Sequence, residues 1–277
     1  MDEAKIENVL TRLHQLPMMP TVVQEVIASF GEPGLDVPTL AAKIAADGGL
    51  AAKILRVANS AFYGLQHQVG SIHEAVVLLG FSSVRSLVVA AALRNVFPKT
   101  EQHAFDRKAF WQRSVKTAAY ARAIAKRLRQ DQEMAFIAGL LRDVGVLVLD
   151  TYLHEQFADV LARVTATGAD LVETERAVLG FDHAMIGAAV ASRWKFPQAL
   201  QDAIRYGQSS EHEPFAPLTD IVFVAGSLVR ASDGGGAEEN GIPEAVLTRL
   251  GLSREAIEAC LSKLEQLEAG TDLFAEA

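Results

Sequence analysis

Residues 105–149 read FDRKAFWQRSVKTAAYARAIAKRLRQDQEMAFIAGLLRDVGVLVL, and this stretch decides the fold class. Apolar residues recur at three- and four-residue spacing, the period of a helix with one buried face, and the strict alternation of a half-buried strand is missing. The spacing predicts a long amphipathic helix from about Phe105 to Arg129 and a second from about Gln132 to Leu149, packed together. The second helix then carries a charged pair, Arg142 and Asp143, inside its most apolar run.

The same periodicity extends outward in both directions, so an all-α chain is expected. On the amino-terminal side Gly and Pro mark breaks at Leu16 to Pro20, Gly31 to Pro38, Asp47 to Gly49, Gly64 to Ser71 and Gly80 to Ser83, with Thr21, Ser71 and Ser82 as N-caps. Beyond the central pair, helices are expected at Tyr152 to Thr167, Asp170 to Leu179, His183 to Trp194, from Pro197, and at Leu218 to Ala231. Gly168 and Gly180 read as C-terminal stops. The run Ser232 to Gly241 reads as a loop, and a final helical pair begins at Pro243 and Ser253. The expected organisation is an amino-terminal helical lobe over 1–99, a second helical lobe over 100–233, and a loop with a helical extension over 234–277.

Composition excludes several classes of function. A chain of 277 residues, half of them apolar, can build a sizeable core. A formal net charge of -8 argues against nucleic-acid binding through phosphates, which needs clustered Lys and Arg. The single cysteine, Cys260, can make neither an internal disulfide nor a Cys-rich zinc site. The start MDEAKIENVL has acids where a secretory signal needs a basic start and an apolar run. The most apolar stretch, Ser86 to Leu93, is far shorter than the roughly 20 residues of a membrane span. A cytoplasmic protein that does not enter the membrane is the expectation.

Ordered motifs carry a resemblance. Leu16-Pro17-Met18-Met19-Pro20, Leu40 to Ile44, Ile54 to Gly64 with its Asn59-Ser60-Ala61-Phe62-Tyr63-Gly64, Ile72 to Val76, Leu78-Leu79-Gly80, Gly139 to Gly145, Glu175 to Gly187 and Trp194-Lys195-Phe196-Pro197 follow one another. In this order they resemble the HDOD family, the HD-related output domains of bacterial signalling proteins, over roughly residues 13 to 230. The resemblance implies an HD-domain-like helical bundle with an additional amino-terminal helical lobe, often without catalytic activity. Pro17, Pro20, Asn59, Ser60, Tyr63, Gly64, Gly80, Trp194 and Pro197 match the family motifs and read as structural.

HD hydrolases hold one or two divalent metals with imidazoles and carboxylates from separate helices, leaving a coordination position open. Where relatives that retain the site have a histidine before a serine, this chain has Arg113 before Ser114. The defining His-Asp pair reads Arg142-Asp143, and the following Gly-Lys reads Gly145-Val146. The later histidine pair falls at Gly207-Gln208 and the late aspartate at Ala225-Gly226, leaving Asp143 and His183. Arginine is a permanent cation and not a metal ligand. No catalytic residue, metal or cofactor is therefore expected.

Two readings of the altered site stay open. Either Arg113 or Arg142 neutralises Asp143 internally, or Arg113, Arg142 and His183 form a pocket for a phosphate or nucleotide anion. The expected function is a non-catalytic regulatory module acting through a signalling protein partner, with the input arriving from another polypeptide or a ligand. A weak metal-dependent phosphohydrolase is the first alternative. A DNA-binding regulator, using the helix-turn-helix-like segment 40–58 with Lys53 and Arg56, is the second. The leucine-rich face of the last segment, Ile257, Leu261, Leu264 and Leu267, suits either its own lobe or a homodimer. No phosphate loop of the G-x-x-x-x-G-K-[ST] type and no G-x-S-x-G elbow occur.

Overall fold

Short polar side chains that stop one helix and start the next set the course of the chain. Asp47, Ser71, Asp106, Asp131, Asp170 and Asp182 each turn a side-chain oxygen onto backbone N–H groups of the first turn, satisfying donors that a helix start otherwise leaves open. The computed structural model describes residues 16–30, 37–60, 63–97, 105–212, 215–232 and 242–257. Every regular element among them is helical. In chain order these are α1 (Thr21–Ala28), α2 (Val37–Ala46), α3 (Gly48–Ala58), α4 (Ile72–Leu79), α5 (Phe81–Val96), α6 (Arg107–Arg127) and α7 (Gln132–Leu141). They continue as α8 (Val144–Tyr152), α9 (His154–Thr167), α10 (Leu171–Leu179), α11 (His183–Arg193), α12 (Gln198–Tyr206), α13 (Pro217–Ser232) and α14 (Glu244–Leu250). None is long and apolar enough to cross a membrane.

The central pair of helices forms and packs as the spacing predicts. α6 and α7 approach closely at Gly139, where a Cβ would stand 2.8 Å from the Ala118 Cα and 2.9 Å from the Thr117 carbonyl. One expectation needs correcting: the helix predicted over Gln132 to Leu149 is two helices, broken at Arg142 and Asp143. Asp143 leaves the helical region (φ -107°, ψ 17°) and its side chain caps nothing. Two caps also differ. Pro20, not Thr21, precedes α1, and α5 starts at Phe81 behind Gly80, which places Ser82 inside the helix. Gly168 and Gly180 end α9 and α10 in the left-handed region (φ 69° and 88°), as the stops require.

One apolar core runs from Leu16 through Phe97 and on to Val222, so the amino-terminal helices and the later bundle share it across residue 99. A second cluster joins α6, α7, α13 and α14 around Ile124, Ala135, Val224 and Leu247. α2 and α3, the helix-turn-helix-like segment, contribute Leu40, Ile44, Leu50 and Ile54 to the larger core. The expected loop at Ser232 to Gly241 falls outside the described residues from 233 on, and the last helix does so beyond Ile257, together with Cys260.

Several motif residues join the two groups of helices. Trp194 is 2% exposed, donates its indole N–H to the Pro17 carbonyl (3.3 Å) and stacks edge-on against Phe97. Asn59 uses both halves of its amide on Val69, donating to its carbonyl (2.9 Å) and accepting from its N–H (2.6 Å), which ties the loop after α3. Glu133 is buried on α7, where Arg122 (2.7 Å), Ser86 (2.8 Å) and Ser83 (3.2 Å) satisfy it, and Arg122 lies over the Tyr63 ring. Gly64 and Gly80 occupy positive φ. Pro197 opens α12, and Ser60 is buried.

Candidate functional site

The break between α7 and α8 points Arg142 and Asp143 toward α12, α13 and the start of α11. Arg142 is buried, 4% exposed. Its Nη1 donates to both Asp143 oxygens (2.9 and 3.0 Å), its Nε to the Gly207 carbonyl (3.2 Å), and its Nη2 to Gln208 Oε1. A guanidinium has only donors, so the Gln208 amide must offer it oxygen. Gln208 Nε2 is thereby turned to Asp143 Oδ1, 2.5 Å away. Burial opposes the charged form of Asp143. The Arg142 guanidinium, with hydrogen bonds from His183 and Gln208, nevertheless holds its carboxyl well below the usual carboxylate range.

Space for the guanidinium comes from α13. A Cβ on Gly226 would stand 2.6 Å from both Cζ and Nε of Arg142, so a side chain there would force the guanidinium to move. Glycine at 226 and this placement of Arg142 are therefore sterically linked, and the resemblance calls for metal ligands at 142 and at Ala225-Gly226.

His183 starts α11 behind the Asp182 cap, which is fully buried against Arg176 (2.7 Å) and close to Arg205 (3.7 Å). Glu175, also fully buried, accepts from the His183 backbone N–H (2.8 Å) and from Nδ1 (2.7 Å). The other ring nitrogen, Nε2, lies 3.0 Å from Gln208 Nε2 and 3.5 Å from Asp143 Oδ1. Accepting from the amide suits the neutral ring and donating toward the carboxylate suits the imidazolium, and the two flanking carboxylates, Glu175 and Asp143, favour the second. Burial lowers the His183 pKa, but Glu175 and Asp143 outweigh this and lift it to about 10. A folded pKa above the unfolded value of about 6.5 stabilises the protein below that value, and the stabilisation is lost as pH rises toward 10. The expected result is an imidazolium at pH 7.5 in ¹⁵N-detected NMR of the folded protein, and a loss of stability from pH 7 to 10 that His183→Gln removes. Ring shifts of a neutral imidazole at pH 7.5 would contradict this assignment.

These four side chains floor a cavity of about 410 Å³. Its walls are apolar, with Phe105, Phe110, Phe157, Leu161, Val146 and Val229, and Arg113 and Arg230 also line it. Arg113 does not reach Asp143 in any hydrogen bond or ion pair. It is exposed, and among the described residues its guanidinium has no partner. Of the two pairings open in the sequence, Arg142 makes the one with Asp143. None of the nine family-motif residues lines this cavity. Pro17 and Pro20 line a separate one of about 270 Å³ beside Lys53. Glu175 escaped the sequence reading as a partner of His183, although its place one helix earlier, across the Gly180 turn, was the available signal.

The residues at this floor do not fit a metal. Among those described, no three His, Cys, Asp or Glu side chains converge as an ion site, and a cation occupies the space beside Asp143.

Comparison with known proteins agrees with the fold. The model of the HDOD domain matches residues 16–210. An uncharacterized protein of Treponema pallidum is 26% identical over 251 residues, 87% of this chain and 47% of that protein. The chain thus spans about half the length of the curated relative it matches. Among solved structures, a candidate phosphohydrolase of Shewanella amazonensis is similar, with 28% identity, a TM-score of 0.80 and 97% of each chain covered. An HDOD domain protein of unknown function from Geobacter sulfurreducens shares the fold at 24% identity, a TM-score of 0.80 and 98% coverage of both chains. A candidate signal transduction protein of Marinobacter aquaeolei does so at 24% identity and a TM-score of 0.83, over 99% of this chain and 65% of that one.

Proposed function

The chain belongs to the HDOD family, and we propose that it is a non-catalytic regulatory module working through contacts with a signalling protein partner. Arg142 carries this reading. An HD centre needs neutral imidazoles and carboxylates around an ion, with one coordination position open to water. Here a buried, permanently charged guanidinium bonds both oxygens of the carboxylate that would otherwise hold the ion, and Gln208 donates a further hydrogen bond to Oδ1. The phosphohydrolase name of the Shewanella protein would extend to this chain only with its ligand set. In this chain Arg142, Gly207-Gln208 and Ala225-Gly226 stand where the resemblance calls for histidines and an aspartate. Val77 and Leu78, exposed side by side near the end of α4 (69% and 42% accessible), are apolar side chains that a partner could cover.

Metal analysis of protein purified without chelator, combined with a phosphomonoester assay in added manganese, tests this. Substoichiometric metal and no turnover are expected. Stoichiometric iron, manganese or zinc, or a turnover abolished by chelator, would overturn it.

A further inference from the structure

We propose that the cavity above Arg142 and Asp143 binds a small aromatic monoanion with a hydrogen-bond donor at the end remote from its charge. This rests on the regulatory reading above, because a floor locked by Arg142 leaves a pocket without hydrolytic chemistry. At about 410 Å³ the cavity falls in the roughly 300–1,000 Å³ range of small-molecule sites, which are mostly apolar with a few placed polar groups.

The walls select a flat body. Phe105 meets Phe110 at 5.6 Å and Phe157 at 5.8 Å between centroids, in tilted and edge-on geometry, and these three rings line one cavity. Such rings offer edges and faces to another aromatic group.

The floor selects a donor. Asp143 is 26% exposed at its side chain while Arg142 and His183 are 5% and 4%, so among these three charged groups the carboxylate is the one the cavity reaches. Its Oδ1 takes hydrogen bonds from Arg142 and Gln208, whereas Oδ2 accepts from Arg142 alone and keeps a lone pair for a ligand O–H or N–H.

The mouth selects a single negative charge. Arg113 is exposed there, with no ion pair among the described residues. Arg142 is spent on Asp143, and the exposed Asp106 and Asp170 line the same cavity. Three arginines and three aspartates line it, and the charge of His183 is offset by Glu175 behind it, which disfavours a polyanion but leaves Arg113 able to meet one carboxylate. Of the three residues of the expected anion pocket, Arg113 is the one that is exposed, and Arg230 also lines the cavity.

The test is calorimetric titration of the full chain, in EDTA, with 4-hydroxycinnamate, 4-hydroxybenzoate and indole-3-acetate. Inorganic phosphate and guanosine monophosphate serve as competing chemistries, and 4-methoxycinnamate as the analogue without a donor. Saturable binding of at least one aromatic acid is expected. Arg113→Gln, a surface change that leaves the core intact, should weaken it about tenfold, the equivalent of one charge-assisted hydrogen bond. For a hydroxycinnamate that binds, loss of the donor should weaken it to a similar extent. No saturable heat from the three acids at millimolar concentration, an unchanged affinity in Arg113→Gln, or tighter binding of phosphate or the nucleotide would overturn the proposal. Because EDTA removes metal from this experiment, its failure is separate from that of the regulatory reading, which metal analysis decides.

Discussion

Arg142→Ala is expected to destabilise the fold by about 3 kcal/mol, the low end of the range for deleting one partner of a buried ion pair. The low end applies because the cavity gives Asp143 some access to water, its side chain being 26% exposed. Alanine leaves the Gly207 carbonyl and Gln208 Oε1 without their donor and Asp143 without its cation. The effect should depend on pH with a definite sign. In the wild type Asp143 has a depressed folded pKa, so its contribution is present above the unfolded value of about 3.9 and is lost as pH falls below it. In the variant the carboxylate has lost that stabilisation, and protonating it relieves the defect. The difference in urea midpoint between the two proteins should therefore be largest near neutrality and shrink below about pH 4. Arg142→Met combined with Asp143→Asn, which removes both charges and keeps the volume, should recover much of the loss. A urea midpoint for Arg142→Ala equal to the wild type at pH 7 would mean that the guanidinium does not hold the site together.

The fold was legible because it depends on signals that act over a few residues. Apolar periodicity placed α6 and the start of α7, and of the three caps read from the sequence Ser71 is one whereas Thr21 and Ser82 are not. The break at Arg142 and Asp143 was not read, although Asp143 and Gly145 are both poor helix formers, because the apolar spacing continues through it from Gln132 to Leu149, and the pairing with Gln208 and Gly207 lies some sixty-five residues later. The site was half legible. Arginine in place of histidine at 142 was visible in the motif, and so was the loss of an aspartate at Ala225-Gly226. Their connection was not, since it is a matter of volume: the guanidinium occupies space that any side chain at 226 would fill. Arg113 shows the opposite limit. Its identity suggested the same role as Arg142, but one helix face differs from another in depth, and Arg113 ends at the cavity mouth while Arg142 ends in the core.

That dependence on volume makes the backbone beneath the site as informative as its side chains, and Gly145 is the sharpest case. It lies inside α8, where glycine to alanine would ordinarily gain nearly 1 kcal/mol of helix propensity. Here a Cβ would stand 1.9 Å from the His183 carbonyl oxygen and 2.8 Å from the Gly187 nitrogen, both backbone atoms that no rotamer change can move. α8 and α11 must separate, and these helices follow Asp143 and begin with His183. Gly145→Ala is thus expected to lose about 3 kcal/mol or more, beyond the usual range for overpacking because no flexible side chain can yield. Separation of the helices should also break the contact between His183 and Asp143, so the imidazolium signal should shift in any folded fraction. Two glycines serve as controls. At Gly187 the nearest obstacle is Ile204 Cγ2 at 3.0 Å, a side-chain end that can shift, so Gly187→Ala should cost about 1 kcal/mol. At Gly48, in the first turn of α3, nothing lies within 4 Å, and Gly48→Ala should be neutral or slightly stabilising through the unfolded chain. Thermal and urea unfolding of the three variants would rank them, and a Gly145→Ala protein as stable as Gly48→Ala would show that α8 and α11 do not meet through their backbones.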